Sequence, residues 1–156
     1  MLNREENISG SNILELLNQK VLVIDGAMGT MLQENGLKSG ECPELWNITH
    51  PEIVKKIHTP YLEAGADIIL TNTFGANGVK LMKMKQQHQL KEINRQAVKL
   101  AREAVDSFKT NHPLPVFVAG SVGPTGEILE PLGPLKNSEA YQGYQDQIKE
   151  MVSVGV

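Results

Sequence analysis

The sequence has one cysteine, few aromatic residues and no hydrophobic run long enough to cross a membrane. Cys42 is the only cysteine among 156 residues, so no disulfide can form within the chain, and a reducing compartment suits such a protein. Aromatic residues make up 4% of the chain, which disfavours stacking on bases. The net charge is −3, with acids and bases interspersed. We therefore expect neither a nucleic acid nor a membrane as a partner.

The first residues, MLNREENISGSN, are polar and lack the apolar core of a signal peptide. Together with the single cysteine, this start predicts a cytoplasmic protein. We interpret residues 1–12 as a polar lead-in and residues 13–156 as one domain. This length is sufficient for a hydrophobic core but short for the larger α/β architectures.

Apolar runs alternate with helical patterns along the chain. Three runs, VLVI, DIILTN and PVFVAGSVG, are apolar at consecutive positions, as in strands that are covered on both faces. Apolar residues in the segments that follow them recur with the helical period. The order β-α-β-α-β-α predicts an α/β fold with a parallel sheet and right-handed crossovers. The strands are expected side by side in chain order, at about 21–25, 67–72 and 116–121.

The predicted helices carry recognisable ends. A short helix is predicted over Ile13–Lys20, before the first strand. Gly65 is expected to end the helix that precedes the second strand, and Gly155 stands in the same relation to the last helix. Ser138 is the expected N-cap of that last helix. Val156 would open a fourth strand, so the chain is expected to stop at a boundary between units.

All three predicted strands end in small or polar residues followed by glycine. The three segments are DGAMGT, TNTFGAN and GSVGPTGE. Ligands of parallel α/β sheets bind beyond the carboxyl ends of the strands. Glycine also lets backbone N–H groups approach a ligand closely. The three loops together favour a binding site at one rim of the sheet.

Asp25 is the first candidate for a binding residue. A carboxylate at a strand end, partly shielded from water, needs a cation or several hydrogen-bond donors. The ammonium group of an amino acid would satisfy it, and the N–H groups of the following glycines would suit the carboxylate of the same ligand. The alternative is that Asp25 caps a turn that the glycines merely permit. For Asn72 and Thr73 taken alone, a loop-closing role is favoured.

Other familiar motifs are absent or weak. The GAMGT segment lacks the lysine of a phosphate-binding loop, and Pro124 interrupts the glycine-rich third loop. One thiol without partners at metal-binding spacing does not make a zinc site. We expect Cys42 and Trp46 to be packing residues. The scattered histidines are expected at the surface: His50, His58, His88 and His112.

Three stretches of the chain resemble the homocysteine S-methyltransferase family, most closely its cobalamin-dependent branch. They are VLVIDGAMGTMLQ, ELWNITHPEIVKKIHTPYLEAGADIILTNTFGAN and VAGSVGPTGEILEPLG, in this order along the chain. The resemblance covers about residues 13–156. It implies that the chain is the first three βα units of a (β/α)8 barrel, which is incomplete here. Residues 13–156 would then be part of a homocysteine-binding domain.

The resemblance also implies which residues bind substrate. Asp25 would contact the amino group of homocysteine, and the backbone of the following turn would support the carboxylate end. The second and third loops would line the pocket. The predicted substrate-binding residues are Asp25, Gly26, Ala27, Gly29, Thr30, Asn72, Thr73, Gly123, Pro124 and Thr125.

Members of the family transfer a methyl group to homocysteine and form methionine. The resemblance implies a zinc ion, held by three cysteines, that makes the thiol reactive, and methylcobalamin as the donor in the cobalamin-dependent branch. Those cysteines belong to late G-x-N-C and G-G-C-C loops that this sequence lacks, and Cys42 matches none of them. We therefore assign no catalytic residue and no metal ligand in this chain. The sequence leaves the methyl donor open among cobalamin, betaine and S-methylmethionine.

Two alternatives to an active methyltransferase stay open. The chain would be a small-molecule-binding fragment without catalysis, or a part of a barrel that is unstable by itself. If the chain is instead part of an active methyltransferase, its expected partners are homocysteine, the remaining barrel units and the cobalamin and folate modules. We expect the isolated chain to be inactive because it lacks the zinc ligands.

Overall fold

The structure is a computed structural model that describes residues 12–109 and 115–156. The described residues form two short strands and seven α-helices, with 3₁₀ turns at Pro43–Leu45 and Gln87–Gln89. The strands are β1 (Ile68–Leu70) and β2 (Phe117–Ala119). The helices are α1 (Ile13–Leu17), α2 (Met28–Glu34), α3 (Trp46–Thr49), α4 (Pro51–Glu63), α5 (Gly78–Lys83), α6 (Leu90–Lys109) and α7 (Asn137–Val152).

The sheet is parallel, as predicted. Ile69 of β1 stands opposite Val118 of β2, with their neighbours paired in the same register. Ile24 forms a parallel bridge with Ile68 on the other side of β1. The three segments therefore lie side by side in chain order. The structure is a mixed α/β fold with a small parallel sheet, and a partial (β/α)8 barrel stays a prediction.

The first apolar run differs from the prediction of a fully covered strand. Only the bridge at Ile24 pairs this run with β1, although the Val23 carbonyl also accepts from the N–H groups of Asp67 and Ile68 at 2.8 and 3.1 Å. Val21, Val23 and Ile24 are 87%, 55% and 53% exposed. The run lies at the edge of the described sheet. Within the described sheet the run pairs with β1 alone, and the side chains of Val21, Val23 and Ile24 stay open to water.

Helices cover β1 and β2 with apolar side chains. The cluster consists of Leu62, Ala66, Ile69, Ala101, Ala104, Val105, Val116 and Val118. Its helical members recur at the spacing of one face, which is why the long amphipathic sequence of α6 forms a helix that buries one side. The helical pattern predicted between the second and third apolar runs is confirmed by α6. Within the described residues, no helix is both long and apolar enough to traverse a lipid bilayer.

Glycine ends two helices as predicted. Gly65 has φ of +94°, its N–H donates to the Leu62 carbonyl at 3.0 Å, and the Ala66 N–H donates to Tyr61 at 3.0 Å. This is a Schellman motif, in which a residue with positive φ satisfies the last carbonyls. Gly155 repeats the same φ of +94°. The predicted similarity of the two helix ends is confirmed.

Of two predicted N-terminal boundaries, that of α7 was displaced and that of α1 at Ile13 was confirmed. Helix α1 ends at Leu17, before the predicted end at Lys20. The N-cap of α7 is Lys136 and not Ser138, because the Glu139 carboxylate accepts from the Lys136 N–H at 3.1 Å and starts the helix earlier. Asn12 is the N-cap of α1, with its side chain accepting from the Leu14 N–H at 3.0 Å. The predicted lead-in at 1–12 otherwise lies outside the described residues.

The surface prediction for the histidines was wrong at one position. His50 and His88 are exposed, and His112 lies outside the described residues. His58 is completely buried in α4, at 0% exposure. The helical pattern places His58 one residue after Ile57 and four residues after Val54, on the inward side of α4. Cys42 and Trp46 are buried, as predicted.

Candidate functional site

A cavity of about 360 Å³ lies where the first apolar run and β1 end. It brings together parts of the first two predicted loops, and Ser121 adds one residue from the third. The lining residues are Asp25, Gly26, Ala27, Met28, Gly29, Pro43, Glu44, Leu70, Thr71, Asn72, Phe74, Lys80 and Ser121. Five of the predicted binding residues therefore share one cavity: Asp25, Gly26, Ala27, Gly29 and Asn72.

Asp25 stands at the last point of pairing with β1. Its backbone N–H donates to the Ile68 carbonyl at 3.0 Å, and its Oδ1 atom accepts from the Leu70 N–H at 3.0 Å. The side chain is 3% exposed. Burial raises the pKa of Asp25 to about 6, while the hydrogen bond from Leu70 lowers it. At neutral pH the cavity thus contains a buried anion, which a cationic ligand group would stabilise.

In the turn after Asp25, the residue with a positive φ is an alanine and not a glycine. Ala27 is the N-cap of α2 and has φ of +27°, whereas no positive φ occurs at Gly26 or Gly29. A Cβ atom added at either glycine would meet nothing within 4 Å. The glycines therefore leave open space beside Asp25. Thr30 is exposed on α2 and does not line the cavity.

The second loop is fixed by its own side chains. The Asn72 Nδ2 atom donates to the Pro43 carbonyl at 2.9 Å and to Asn47 Oδ1 at 3.0 Å. The Thr73 hydroxyl is buried, donates to the Ser121 carbonyl at 2.8 Å, and lies 2.6 Å from the Thr71 hydroxyl. Both amide donors of Asn72 are thus occupied. Thr73 does not line the cavity.

The predicted residues of the third loop lie outside the cavity lining. The Gly123 N–H donates to the Phe74 carbonyl at 3.0 Å, and the Pro124 carbonyl accepts from Asn77 Nδ2 at 3.5 Å. The Thr125 hydroxyl accepts from the Glu127 N–H at 3.2 Å and closes a turn. In this structure these residues hold the loop against the second one. Their role in substrate binding stays a prediction, as does that of Thr30 and Thr73.

Two charged residues of the cavity were missed from the sequence. Glu44 is 5% exposed, its Oε1 atom accepts from the Gly75 N–H at 2.6 Å, and its Oε2 atom lies 3.4 Å from Cys42 Sγ. Lys80 belongs to α5, and its Nζ atom lies 5.5 Å from the centre of the Phe74 ring. A single acid in a 3₁₀ turn and a lysine in a lysine-rich segment give no periodic or motif signal.

His58 was also missed as a neighbour of the site. Its Nδ1 atom lies 3.9 Å from Asp25 Oδ2. Burial lowers the pKa of His58 to about 4, so the imidazole is neutral at physiological pH. The spacing of α4 could have indicated its burial, but no local pattern shows which strand end it meets.

The described residues do not fit the zinc ion that the resemblance implies. Among residues 12–109 and 115–156, no three His, Cys, Asp or Glu side chains come together in a group able to hold a metal. Cys42 is buried beside Glu44, and burial together with this carboxylate raises the pKa of its thiol to about 11. A thiol with so high a pKa is poorly suited to act as a thiolate ligand.

Comparison with known proteins identifies the family to which the chain is similar. The family model described as homocysteine S-methyltransferase matches residues 22–156. A methionine synthase from Mycobacterium leprae (strain TN) is 34% identical over 152 residues, which cover 93% of this chain and 12% of that protein.

Solved structures of the Escherichia coli homocysteine methyltransferase MmuM are also similar. The metallated form has 25% identity and a TM-score of 0.73, over 90% of this chain and 53% of that one. The apo form has 28% identity and a TM-score of 0.67, over 90% and 49%. The chain thus spans about half of these structures and a small part of the methionine synthase. With a family match over most of its length, the chain belongs to the homocysteine S-methyltransferase family.

Proposed function

We propose that this chain binds the amino acid end of homocysteine for methyl transfer to its sulfur. The observation that carries the proposal is the buried Asp25 carboxylate in the wall of a cavity, within a chain that belongs to this family. In the complete reaction the sulfur would form a bond to the methyl carbon while the bond between this carbon and its donor breaks, and the thiol would lose its proton to yield methionine. The donor is not assigned.

The charges around the cavity suit a zwitterion. Asp25 would accept hydrogen bonds from the ligand ammonium, since one donor, the Leu70 N–H, is recorded on its carboxylate. Lys80 lines the same cavity and would face the ligand carboxylate. The space beside Gly26 and Gly29 would accommodate the ligand backbone. A charge-assisted hydrogen bond contributes roughly 1.5–3 kcal/mol, so the ammonium contact would be a large share of the affinity.

The metal and the donor stay predictions from the resemblance. Because the described residues hold no group of ligands for zinc, we derive no step through this ion. The same applies to methylcobalamin and to the further barrel units and modules. The proposal for this chain is therefore limited to recognition of the methyl acceptor.

The proposal is tested by calorimetric titration of the chain with L-homocysteine. Asp25→Asn keeps an oxygen to accept from Leu70 but removes the charge, and should lower the affinity by about 10- to 100-fold. The matched control is Asp146→Asn, whose carboxylate on α7 accepts from Gln142 at 2.7 Å and does not line this cavity. Equal affinities of wild type and Asp25→Asn would show that Asp25 only shapes the turn.

A further inference from the structure

His58 is a buried polar side chain without a hydrogen bond. It is 0% exposed, and within the described residues neither ring nitrogen has a hydrogen-bond partner. Burying a polar group without a partner carries a free-energy cost, because the group loses its hydrogen bonds to water. An apolar side chain of similar size would fill the same place in α4 without this cost. The imidazole therefore calls for an explanation beyond packing.

Asp25 is the acid that His58 faces. The Nδ1 atom lies 3.9 Å from Oδ2, the carboxylate oxygen that the Leu70 N–H does not occupy. A hydrogen bond to this oxygen needs about 2.7–3.2 Å, so the two groups are about one ångström too far apart. A small rotation of either side chain would close this gap. Asp25 lies in the cavity lining, whereas His58 stands behind it.

Two other charged groups near α4 are paired elsewhere. Lys55 of α4 binds Glu103 of α6 at 3.2 Å, at the surface. Asp67, just before β1, is paired with Lys20 and accepts from the Val23 N–H. For α2 and α3, the structure records no ion pair with His58 among the described residues. Asp25 is thus the charged group through which His58 would act.

We propose that His58 is a positioning residue that holds the Asp25 carboxylate for the ammonium group of the ligand. The inference rests on the proposed function. The neutral imidazole donates its Nδ1 hydrogen to Oδ2 when the ligand draws the carboxylate into place. No proton is transferred: the imidazole stays neutral, the carboxylate stays an anion and the ligand keeps its ammonium. His58 then affects only those ligands that carry the positive group.

Two substitutions separate this role from packing. His58→Asn retains an N–H donor close to the position of Nδ1, whereas His58→Leu removes every donor and keeps an apolar volume. The ligands are L-homocysteine and 4-mercaptobutanoic acid, which lacks the amino group. His58→Leu should weaken homocysteine binding by about 3- to 10-fold, the equivalent of one hydrogen bond, and leave 4-mercaptobutanoic acid unchanged. His58→Asn should bind homocysteine within about twofold of wild type.

A double variant tests whether the two residues act together. Asp25→Asn with His58→Leu should bind homocysteine no more weakly than Asp25→Asn alone, because His58 acts through the carboxylate. Additive losses, or unchanged binding by His58→Leu while Asp25→Asn is weakened, would overturn the inference and leave the proposed function intact. Failure of the wild-type chain to bind homocysteine would contradict the proposed function instead.

A spectroscopic measurement tests the contact in the ligand complex. In protein labelled with ¹⁵N-histidine and saturated with L-homocysteine, we expect His58 to be the neutral tautomer with its hydrogen on Nδ1. The Nδ1 resonance should shift in Asp25→Asn. A hydrogen on Nε2, or a resonance that does not respond to Asp25→Asn, would refute the inference. This readout also decides the matter if His58→Leu fails to fold.

Discussion

Two hydrogen bonds join Asn47 to Asn72 beside the cavity. Asn47 Nδ2 donates to the backbone carbonyl of Asn72 at 2.8 Å, and Asn72 Nδ2 donates to Asn47 Oδ1 at 3.0 Å. Asn47 lies in α3, and Asn72 follows β1, so this pair ties a helix to the end of a strand. Both residues are buried, at 1% and 5% exposure. The pair fixes the second loop before any ligand arrives.

Loss of this pair should destabilise the fold. Asn47→Ala leaves the Asn72 carbonyl and one amide hydrogen of Asn72 buried without a partner, and should lower the free energy of unfolding by about 1–3 kcal/mol. Urea denaturation followed by circular dichroism measures this change. The control is Asn18→Ala at the exposed end of α1. Equal stability of the two variants would contradict a structural role for Asn47.

Two glycines near the site should respond oppositely to alanine. A Cβ at Gly123 would lie 2.5 Å from the Phe74 carbonyl oxygen and 2.7 Å from its ring, whereas a Cβ at Gly29 would meet nothing within 4 Å. Gly123→Ala should therefore lower the melting temperature. Gly29→Ala should keep or raise it, because alanine favours a helix by about 0.5–1 kcal/mol over glycine. Equal melting temperatures would contradict the close packing at Gly123.

Gly29→Ala should also weaken ligand binding. Gly29 lines the cavity, so its new methyl group would occupy space proposed for homocysteine. We expect homocysteine affinity to fall while the fold is retained, as measured by titration calorimetry and thermal melting. Undiminished affinity in a folded Gly29→Ala variant would place the ligand away from this turn.

The sequence predicted the elements but not their edges. Consecutive apolar residues identified β1 and β2, since a strand buried on both faces leaves this pattern, and the 3.6-residue period identified α6. Exposure of Val23 could not be foreseen, because it depends on whether a neighbour covers the strand. Glu44 was missed for a similar reason. The buried carboxylate of Glu44 accepts a hydrogen bond from Gly75, which is distant in sequence.

The sequence also identified only some of the residues that line the cavity. Asp25 is one of these, and it was predicted because an acid directly after an apolar run is costly to bury without a partner. Thr125 has the same polar, strand-end character, yet its hydroxyl closes a local turn with Glu127. Local sequence cannot distinguish these cases, since the direction of each side chain is set by tertiary packing. His58 needed the structure for the same reason.

The pKa values of Asp25 and His58 shift in opposite directions on folding, so their effects on the free energy of unfolding should offset each other in acid. The pKa of Asp25 rises on folding to about 6, so the folded state binds more protons than the unfolded state between about pH 4 and 6. The contribution of Asp25 to the free energy of unfolding therefore falls as pH rises through this range. The pKa of His58 falls on folding to about 4, so its contribution is lost as pH falls from about 6.5. The two effects nearly cancel between pH 4 and 6.

Substituting one of the two residues should reveal the pH-dependent contribution of the other to stability. Asp25→Asn should lose roughly 3 kcal/mol of unfolding free energy between pH 6.5 and 4, because only the histidine remains. His58→Leu should instead gain stability as pH falls through the same range. Urea denaturation at several pH values measures both slopes. Parallel pH profiles for the two variants would contradict the opposed shifts.

Cys42 should react slowly with alkylating reagents. Burial, with the Glu44 carboxylate as the second cause, raises the pKa of this thiol to about 11. At pH 7.5 iodoacetamide should modify the folded chain at least about 100-fold more slowly than the urea-unfolded chain. Glu44→Gln removes the negative charge and should move the midpoint of the pH–rate profile downward. An unchanged midpoint would show that burial acts alone.

The parallel register also has a consequence for how the chain folds. Ile68 pairs with Phe117, about 50 residues later, with α5 and α6 between them. Closing so long a loop costs entropy before the strands gain contacts, which slows folding. Helix α6 forms from local contacts, and its Ala101 and Val105 belong to the cluster that covers both strands. The refolding rate should therefore depend on the stability of α6, and substitutions that weaken this helix should delay the moment when the edges of the two strands meet.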